Sequence, residues 1–262
     1  MAQTKIAIRN LTKRYLDGLV LAFENLSLEV QENEILCILG PSGCGKTTLL
    51  KILDGLMPPD GGEVWIDGEP VQGPRRTVAM VFQHFGLFPW KTVAENIGYG
   101  LRVQGRPQGE IDGALLKYVK MVGLEGFEKA YPYQLSGGMQ QRCGLARALA
   151  INPRILLMDE PFGAVDAQTR EILQEELLRI WEAEKKTMVF ITHSIDEAIL
   201  LGDRVVVMSP RPGQIREILN VHLPRPRDIN AMRGEEEYLR LRNHIWDVLR
   251  GENRAAFAPG GR

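Results

Sequence analysis

The segment Gly40-Pro41-Ser42-Gly43-Cys44-Gly45-Lys46-Thr47 constrains this chain more than any other. It fits the pattern G-x-x-x-x-G-K-[ST]. The apolar run Ile35 to Leu39 precedes it, and Leu49, Leu50 and Leu53 fall on one side of the following segment, Lys46 to Gly55. The spacing predicts a buried strand, a glycine loop and a helix. In such a loop the backbone N–H groups turn inward around an anion, and the helix directs its positive end at the same point. Lys46 supplies a mobile cation for the outer phosphates of a nucleotide, and the Thr47 hydroxyl is a Mg2+ ligand.

Strand-like and helix-like segments alternate along most of the chain, which argues for a largely parallel, wound sheet. Ile6 to Ile8, Leu26 to Val30, Val64 to Ile66, Val78 to Phe82, Ile155 to Met158, Met188 to Ile191 and Val205 to Met208 read as strands. Gln168 to Lys185 and Ile195 to Leu201 read as helices, the first with Leu173, Leu177 and Ile180 on one face. Val93 to Val122 is helix-like but punctuated by Gly100, Gly105, Pro107 and Gly109, and Gly137 to Ile151 continues as a helix. We therefore expect a helical subdomain inserted into an α/β core. Pro210, Pro212, Pro224 and Pro226 mark the end of that core. In a last helix, Glu235 to Arg250, residues Tyr238, Leu241, Ile245 and Val248 form a stripe that docks on it. Ala255 to Arg262 reads as a frayed tail.

Two further strand ends carry chemistry. Ile155 to Met158 runs into Asp159-Glu160. Ligands of a parallel sheet lie outside the carboxyl ends of its strands, so both acids are expected to face the phosphate loop. Asp159 suits a Mg2+ ligand and Glu160 a general base that polarises water. His193 follows the strand Met188 to Ile191 and is expected at the same edge, donating to a terminal phosphate. Leu135-Ser136-Gly137-Gly138 opens a helix and makes a second helix-start anion site, remote in sequence from the first. One nucleotide needs one such site, so a chain with two is suited to head-to-tail pairing.

Leu135-Ser136-Gly137-Gly138-Met139-Gln140-Gln141-Arg142 resembles the LSGGQ signature of the ABC ATPases, at the family's distance upstream of Glu160. The other family elements stand in order. Tyr15 resembles the aromatic that stacks on adenine, Gln83 the Q-loop glutamine, Ala164-Val165-Asp166 the D-loop and His193 the switch histidine. Val165 is a mild departure, since the family more often has Leu there. The resemblance implies a P-loop NTPase of class α/β, with a RecA-like core sheet, an antiparallel β subdomain and an inserted helical subdomain at about 90–152. The ATPase domain would span 4–225, with a C-terminal helix and flexible tail at 226–262. It implies ATP and Mg2+ as cofactors. The nucleotide would be held by Tyr15, by Gly40, Pro41, Ser42, Gly43, Cys44, Gly45, Lys46, Thr47 and Thr48, and by Ser136, Gly137, Gly138, Gln140 and Asp166. The metal would be held by Thr47, Gln83 and Asp159. Glu160, His193 and Gln83 would be catalytic.

The implied partners are a second copy of the chain, closing on two MgATP, an integral membrane permease, and indirectly a solute-binding protein. Leu87-Phe88-Pro89-Trp90, Met208-Ser209-Pro210-Arg211-Pro212-Gly213 and the late Ile245-Trp246 resemble the ATPase subunits of nitrate, sulfonate and taurine importers. These pieces lie outside the expected hydrolytic site and support a small anionic solute only by analogy. Phe85, Phe88, Trp90 and Tyr99 beside Gln83 suggest an apolar groove for a permease helix. An ABC-type ATPase acting on DNA or ribosomes is the alternative, and would want coiled-coil arms, two tandem halves or a basic face. Lys plus Arg (32) nearly balance Asp plus Glu (33), which gives no argument for nucleic acid. Cys37, Cys44 and Cys143 are no disulfide framework, and the histidines His84, His193, His222 and His244 lack zinc-site spacing. No apolar run approaches the ~18 residues of a membrane span. The chain is expected to be cytoplasmic, reaching the inner face of the plasma membrane through its partner.

Overall fold

The computed structural model describes the backbone of residues 3–83 and 86–256, and the side chains of all of these except 230 and 252–256. His84, Phe85 and 257–262, most of the expected tail, lie outside the described residues.

Strands β1 (Thr4–Tyr15), β2 (Val20–Gln31), β3 (Ile35–Leu39), β4 (Gly61–Ile66), β5 (Glu69–Pro70), β6 (Val78–Val81), β7 (Ile155–Asp159), β8 (Thr187–Thr192), β9 (Arg204–Met208) and β10 (Ile215–Asn220) form two sheets. The first is antiparallel with order β2-β1-β4-β5. The second has order β10-β9-β3-β8-β7-β6 and is parallel except for β10.

The uninterrupted apolar run of β3 has a direct cause. Ile35, Cys37 and Leu39 enter one core, while Leu36 and Ile38 enter another on the opposite face. β7 divides in the same way: Leu156 and Met158 enter the first core, and Ile155 and Leu157 the second. A strand covered on both faces needs no polar alternation. Each fully buried Leu or Ile contributes about 1.5–3 kcal/mol of transfer free energy. Because β3 lies beside β8, and β8 beside β7, the ends of these strands bring Leu39, Thr192 and Asp159 to one edge of the sheet.

Between β6 and β7 come α2 (Val93–Ile97), α3 (Tyr99–Val103), α4 (Gln108–Met121) and α5 (Gly137–Ala150). The expected helical stretch 93–122 is thus three helices, interrupted at Gly98 and at 104–107. Thr92 and Glu95 close a reciprocal capping box at the start of α2. Fully buried Asn96 accepts from the Phe88 N–H at 2.9 Å and donates to the carbonyls of Phe88, Lys91 and Thr92, so it ties the aromatic loop to α2.

Helix α1 (Lys46–Leu53) follows β3, α6 (Ala167–Glu184) follows β7, and α7 (Ile195–Leu201) follows β8. After β10 come a short α8 (Ile229–Met232) and α9 (Glu236–Ala256). Tyr238, Leu241 and Ile245 are buried, and the Tyr238 hydroxyl donates to Asp196 of α7 at 2.7 Å.

Three expectations are corrected. The sheet does not end at Pro210, because β10 pairs antiparallel with β9 beyond the prolines. It is a half-exposed edge strand, which needs little apolar sequence. β1 and β2 run to 12 residues each, bridged across polar positions by register shifts near Asn10 and Asn25, both in the left-handed region. Ala255 and Ala256 belong to α9 rather than to a tail.

Candidate nucleotide-binding site

The loop between β3 and α1 has the backbone its glycines permit. Gly43 and Gly45 take φ of 80° and 99°, a region closed to most side chains. A Cβ at Gly45 would lie 2.8 Å from the Phe23 ring, so β2 braces the loop from behind. Gly45 caps α1 without a side-chain hydrogen bond, which leaves the first-turn N–H groups for a ligand. Lys46 is 6% exposed, and its ammonium donates to the carbonyls of Gly40 at 2.7 Å and Pro41 at 2.9 Å. Burial pushes the Cys44 thiol up from its ordinary pKa, which keeps it a thiol inside the loop.

The loop borders a cavity of about 210 Å³. Tyr15, Ser42, Gly43, Gly45, Lys46, Thr47, Thr48, Gln83 and Glu160 line it, together with Ala22 and Arg211. The Tyr15 and Thr48 hydroxyls share a hydrogen bond of 3.0 Å, which places the aromatic ring at the helix start.

Asp159 ends β7 and is buried beside Thr47. Burial raises its pKa, the Thr47 hydroxyl bond opposes that, and the Glu160 charge adds to it. Glu160 stands in the left-handed region with φ 48°, which costs a non-glycine residue about 1–3 kcal/mol. Three hydrogen bonds hold it there. Its N–H donates to Ile191 at 3.0 Å, and its carbonyl accepts from Gly163 at 3.1 Å and from the Gln141 side chain at 3.2 Å. The turn directs the carboxylate to His193 Nδ1 at 3.1 Å. His193 is itself largely exposed at the mouth of the site.

The structure does not bring the second predicted anion site to this cavity. Ser136, Gly137, Gly138, Gln140 and Asp166 are absent from its lining. Ser136 caps α5 by accepting from the Met139 N–H at 3.3 Å. A Cβ at Gly137 would meet nothing within 4 Å, so the helix start opens outward. Gln140 turns back to the Leu135 carbonyl at 3.2 Å. Asp166 caps α6, and the Thr169 N–H holds its carboxyl below the usual range.

A family model described as ABC transporter matches residues 23–163. The chain belongs to the ABC transporter family. An uncharacterized ABC transporter ATP-binding protein of Methanocaldococcus jannaschii is 54% identical over 95% of this chain and 93% of its own. The aliphatic sulfonates import ATP-binding protein SsuB of Bacillus cereus is 47% identical over 84% of this chain and 86% of its own. The nitrate import ATP-binding protein NrtD of Synechocystis is 43% identical, over 89% and 90%. Among solved structures, the dimeric post-hydrolysis state of the ATP-binding cassette MJ0796, bound to ADP and Pi, superposes with a TM-score of 0.77. It has 35% identity and covers 84% of this chain and all of that one.

As an ABC ATPase the chain binds and hydrolyses ATP, and its fold is the P-loop cassette expected from the signature. The Thr47 hydroxyl, the Asp159 carboxylate and the Gln83 side chain offer hard oxygen donors beside the phosphate loop, a set that suits Mg2+. Two residues escaped the sequence reading. Gln141 entered the sequence reading only as part of the signature stretch, yet it is a buried polar bridge that also accepts from the Ala164 N–H at 3.1 Å. Arg211 belonged to a motif placed outside the hydrolytic site, yet it lines the cavity. The local motifs do not reveal either role, because each side chain acts on a distant segment.

Proposed function

We propose that this ABC ATPase is the motor subunit of an importer, working as a head-to-tail pair that closes on two MgATP. The observation that carries this reading is the outward-facing start of α5, with open space over Gly137 and no share in its own chain's cavity. In the pair, Lys46, Thr47, Asp159, Gln83 and His193 of one chain meet the phosphates from one side. Ser136, Gly137 and Gly138 of the partner complete the site from the other. The dimeric MJ0796 cassette supports the arrangement by likeness.

Glu160 acts as general base on the attacking water, and His193, bonded to it, steadies the carboxylate and donates to the terminal phosphate. Thr47, Asp159 and Gln83 would hold Mg2+, which would supply charge neutralisation on the phosphates. Charge-assisted bonds from the partner to that phosphate are worth roughly 1.5–3 kcal/mol each, and hydrolysis removes them. Closing and opening is then a population shift driven by differential contacts.

The coupling partner is a membrane permease. No helix among the described residues is long and apolar enough to cross a membrane, so membrane association would run through that partner. Beside Gln83, Phe88 packs on Trp90 and Tyr99 with ring centroids 5.8 and 4.5 Å apart, and Trp90 is 70% exposed. An exposed aromatic cluster of this kind suits a docked helix. The sulfonate and nitrate import relatives favour a small anionic solute, delivered by a solute-binding protein, with this chain at the cytoplasmic face.

Ser136→Arg tests the pairing in the full chain, on a Glu160→Gln background that preserves bound ATP. We expect normal ATP binding with loss of the ATP-dependent dimer on gel filtration. A dimer that still forms with ATP refutes the cross-chain site.

A further inference from the structure

The segment Met208 to Gly213, notable in the sequence only for a resemblance, forms the turn from β9 into β10 and lies directly against the phosphate loop. The packing allows it little freedom. The Gly213 N–H donates to the Ala22 carbonyl at 2.8 Å, and a Cβ at 213 would fall 2.0 Å from the Cys44 carbonyl oxygen. A Cβ at Gly40 would meet both the Cβ and the carbonyl oxygen of Met208 at 3.1 Å. Buried Ser209 accepts from the Gln214 N–H at 3.0 Å, and its hydroxyl lies 3.0 and 3.1 Å from the Pro210 and Pro212 carbonyls.

This turn presents Arg211. Its Nε donates to the Gly43 carbonyl at 3.2 Å, and its side chain lines the cavity that Lys46, Thr47, Gln83 and Glu160 share. No carboxylate among the described residues lies within ion-pair distance of it. A guanidinium has five N–H donors in a fixed fork, and Gly43 engages one of them. The rest form an uncompensated cation at the rim of a phosphate cavity. Lys46, by contrast, is enclosed by two loop carbonyls.

We propose that Arg211 is a nucleotide-binding residue, donating charge-assisted hydrogen bonds to the phosphates of bound ATP from the β9–β10 turn. The proposal rests on the ATPase reading. Its rival is that Arg211 merely braces the loop through Gly43, a neutral role that a glutamine donor could also fill.

The test uses the full chain with a fluorescent, non-hydrolysable ATP analogue and Mg2+, in wild type, Arg211→Ala, Arg211→Gln and Arg211→Lys. We expect the Ala and Gln variants to raise Kd by roughly tenfold, the size of a charge-assisted contact, with Lys recovering most of the affinity. Affinity should fall more steeply with salt in wild type than in the Ala variant. In steady-state hydrolysis KM should rise about tenfold while kcat changes less than threefold. A Kd within twofold of wild type for Arg211→Ala overturns the proposal. So does a Gln variant as tight as wild type, or a kcat loss at constant KM. Lys46→Ala serves as the control: if wild type and Lys46→Ala bind the analogue equally, the nucleotide site itself is misread and the proposal falls with it, whereas weakened binding in Lys46→Ala without weakening in Arg211→Ala overturns the Arg211 proposal alone. Equal thermal midpoints of the four proteins without nucleotide confirm that folding is not the variable.

Discussion

Gln141→Leu is the most informative perturbation of the proposed catalytic edge. Gln141 is 2% exposed and bridges two backbone groups of another segment: its amide donates to the Glu160 carbonyl at 3.2 Å and accepts from the Ala164 N–H at 3.1 Å. Leucine has similar volume and removes both bonds. Glu160 keeps Gly163 as a donor to its carbonyl, but no second acceptor for the Ala164 N–H is found among the described residues. One hydrogen bond lost with its acceptor still served costs about 1 kcal/mol, and an orphaned buried donor about 1–3 kcal/mol. The better desolvation of leucine offsets part of this. The expected loss of stability is about 2–3 kcal/mol, read from urea melts as a lower midpoint at unchanged slope.

The same change acts on chemistry. Glu160 holds a left-handed φ of 48° against a local penalty comparable to one of its hydrogen bonds. With the Gln141 bond gone, the turn relaxes and the carboxylate shifts relative to His193, now 3.1 Å away. A displacement near 1 Å costs on the order of 10²-fold in rate. We therefore expect kcat to fall by roughly 10- to 100-fold, with KM nearly constant because the phosphate loop is untouched. Gln141→Glu keeps the bond from Ala164 but sets a carboxylate against the Glu160 carbonyl, and should fall between. If Gln141→Leu loses the expected stability while kcat stays within twofold of wild type, the bridge supports the fold and not the base.

Two other substitutions probe separate features. Glu160→Gln should bind ATP normally and lower turnover by roughly 10²–10⁴, the size of a general-base contribution; near-normal phosphate release would remove Glu160 from that role. Asp54, the half-buried C-cap of α1, has its carboxyl pushed up to about 6 by burial. A folded pKa above the unfolded value of about 3.9 means that this group favours folding fully below pH 4, and that the contribution is lost as pH rises through 6. Asp54→Asn should then stabilise the chain by about 1–3 kcal/mol at pH 7.5 and hardly at all at pH 4. Equal effects in urea melts at the two pH values would contradict the burial argument.

The expected and observed elements agree best where burial alone determines the backbone. Ile35–Leu39 has the bounds read from its apolar run, because every residue of it is enclosed by neighbours, and Ile195–Leu201 has the bounds expected, fixed by the Ser194 cap and the buried run Ala198 to Leu201. Agreement weakens where a long-range partner decides. β10 alternates half-buried and exposed residues behind a run of prolines, and only its pairing with β9 makes it a strand. Of the breaks between α2, α3 and α4, the one at 104–107 falls on the punctuating Gly105 and Pro107, while the one at Gly98 is smoothed over by the helical periodicity. The site divides along the same line. The phosphate loop, Asp159 and Glu160 are contiguous signals, each carried by a single strand end.

What local pattern missed is the support of those groups by remote segments, and this has a physical reason. Gln141 acts 19 residues from the carbonyl it holds, and Arg211 acts 168 residues from Gly43. Both residues stand inside recognisable motifs, but a motif names no distant partner, so neither contact could be read from it. Both nevertheless act on atoms whose positions matter to a fraction of an ångström. A phosphate loop of this pattern specifies that phosphate is bound. How tightly it is bound, and how well water is aimed at it, depends on side chains that the fold delivers from elsewhere, so substitutions at Gln141 and Arg211 should separate rate from affinity in a way that changes inside the loop cannot.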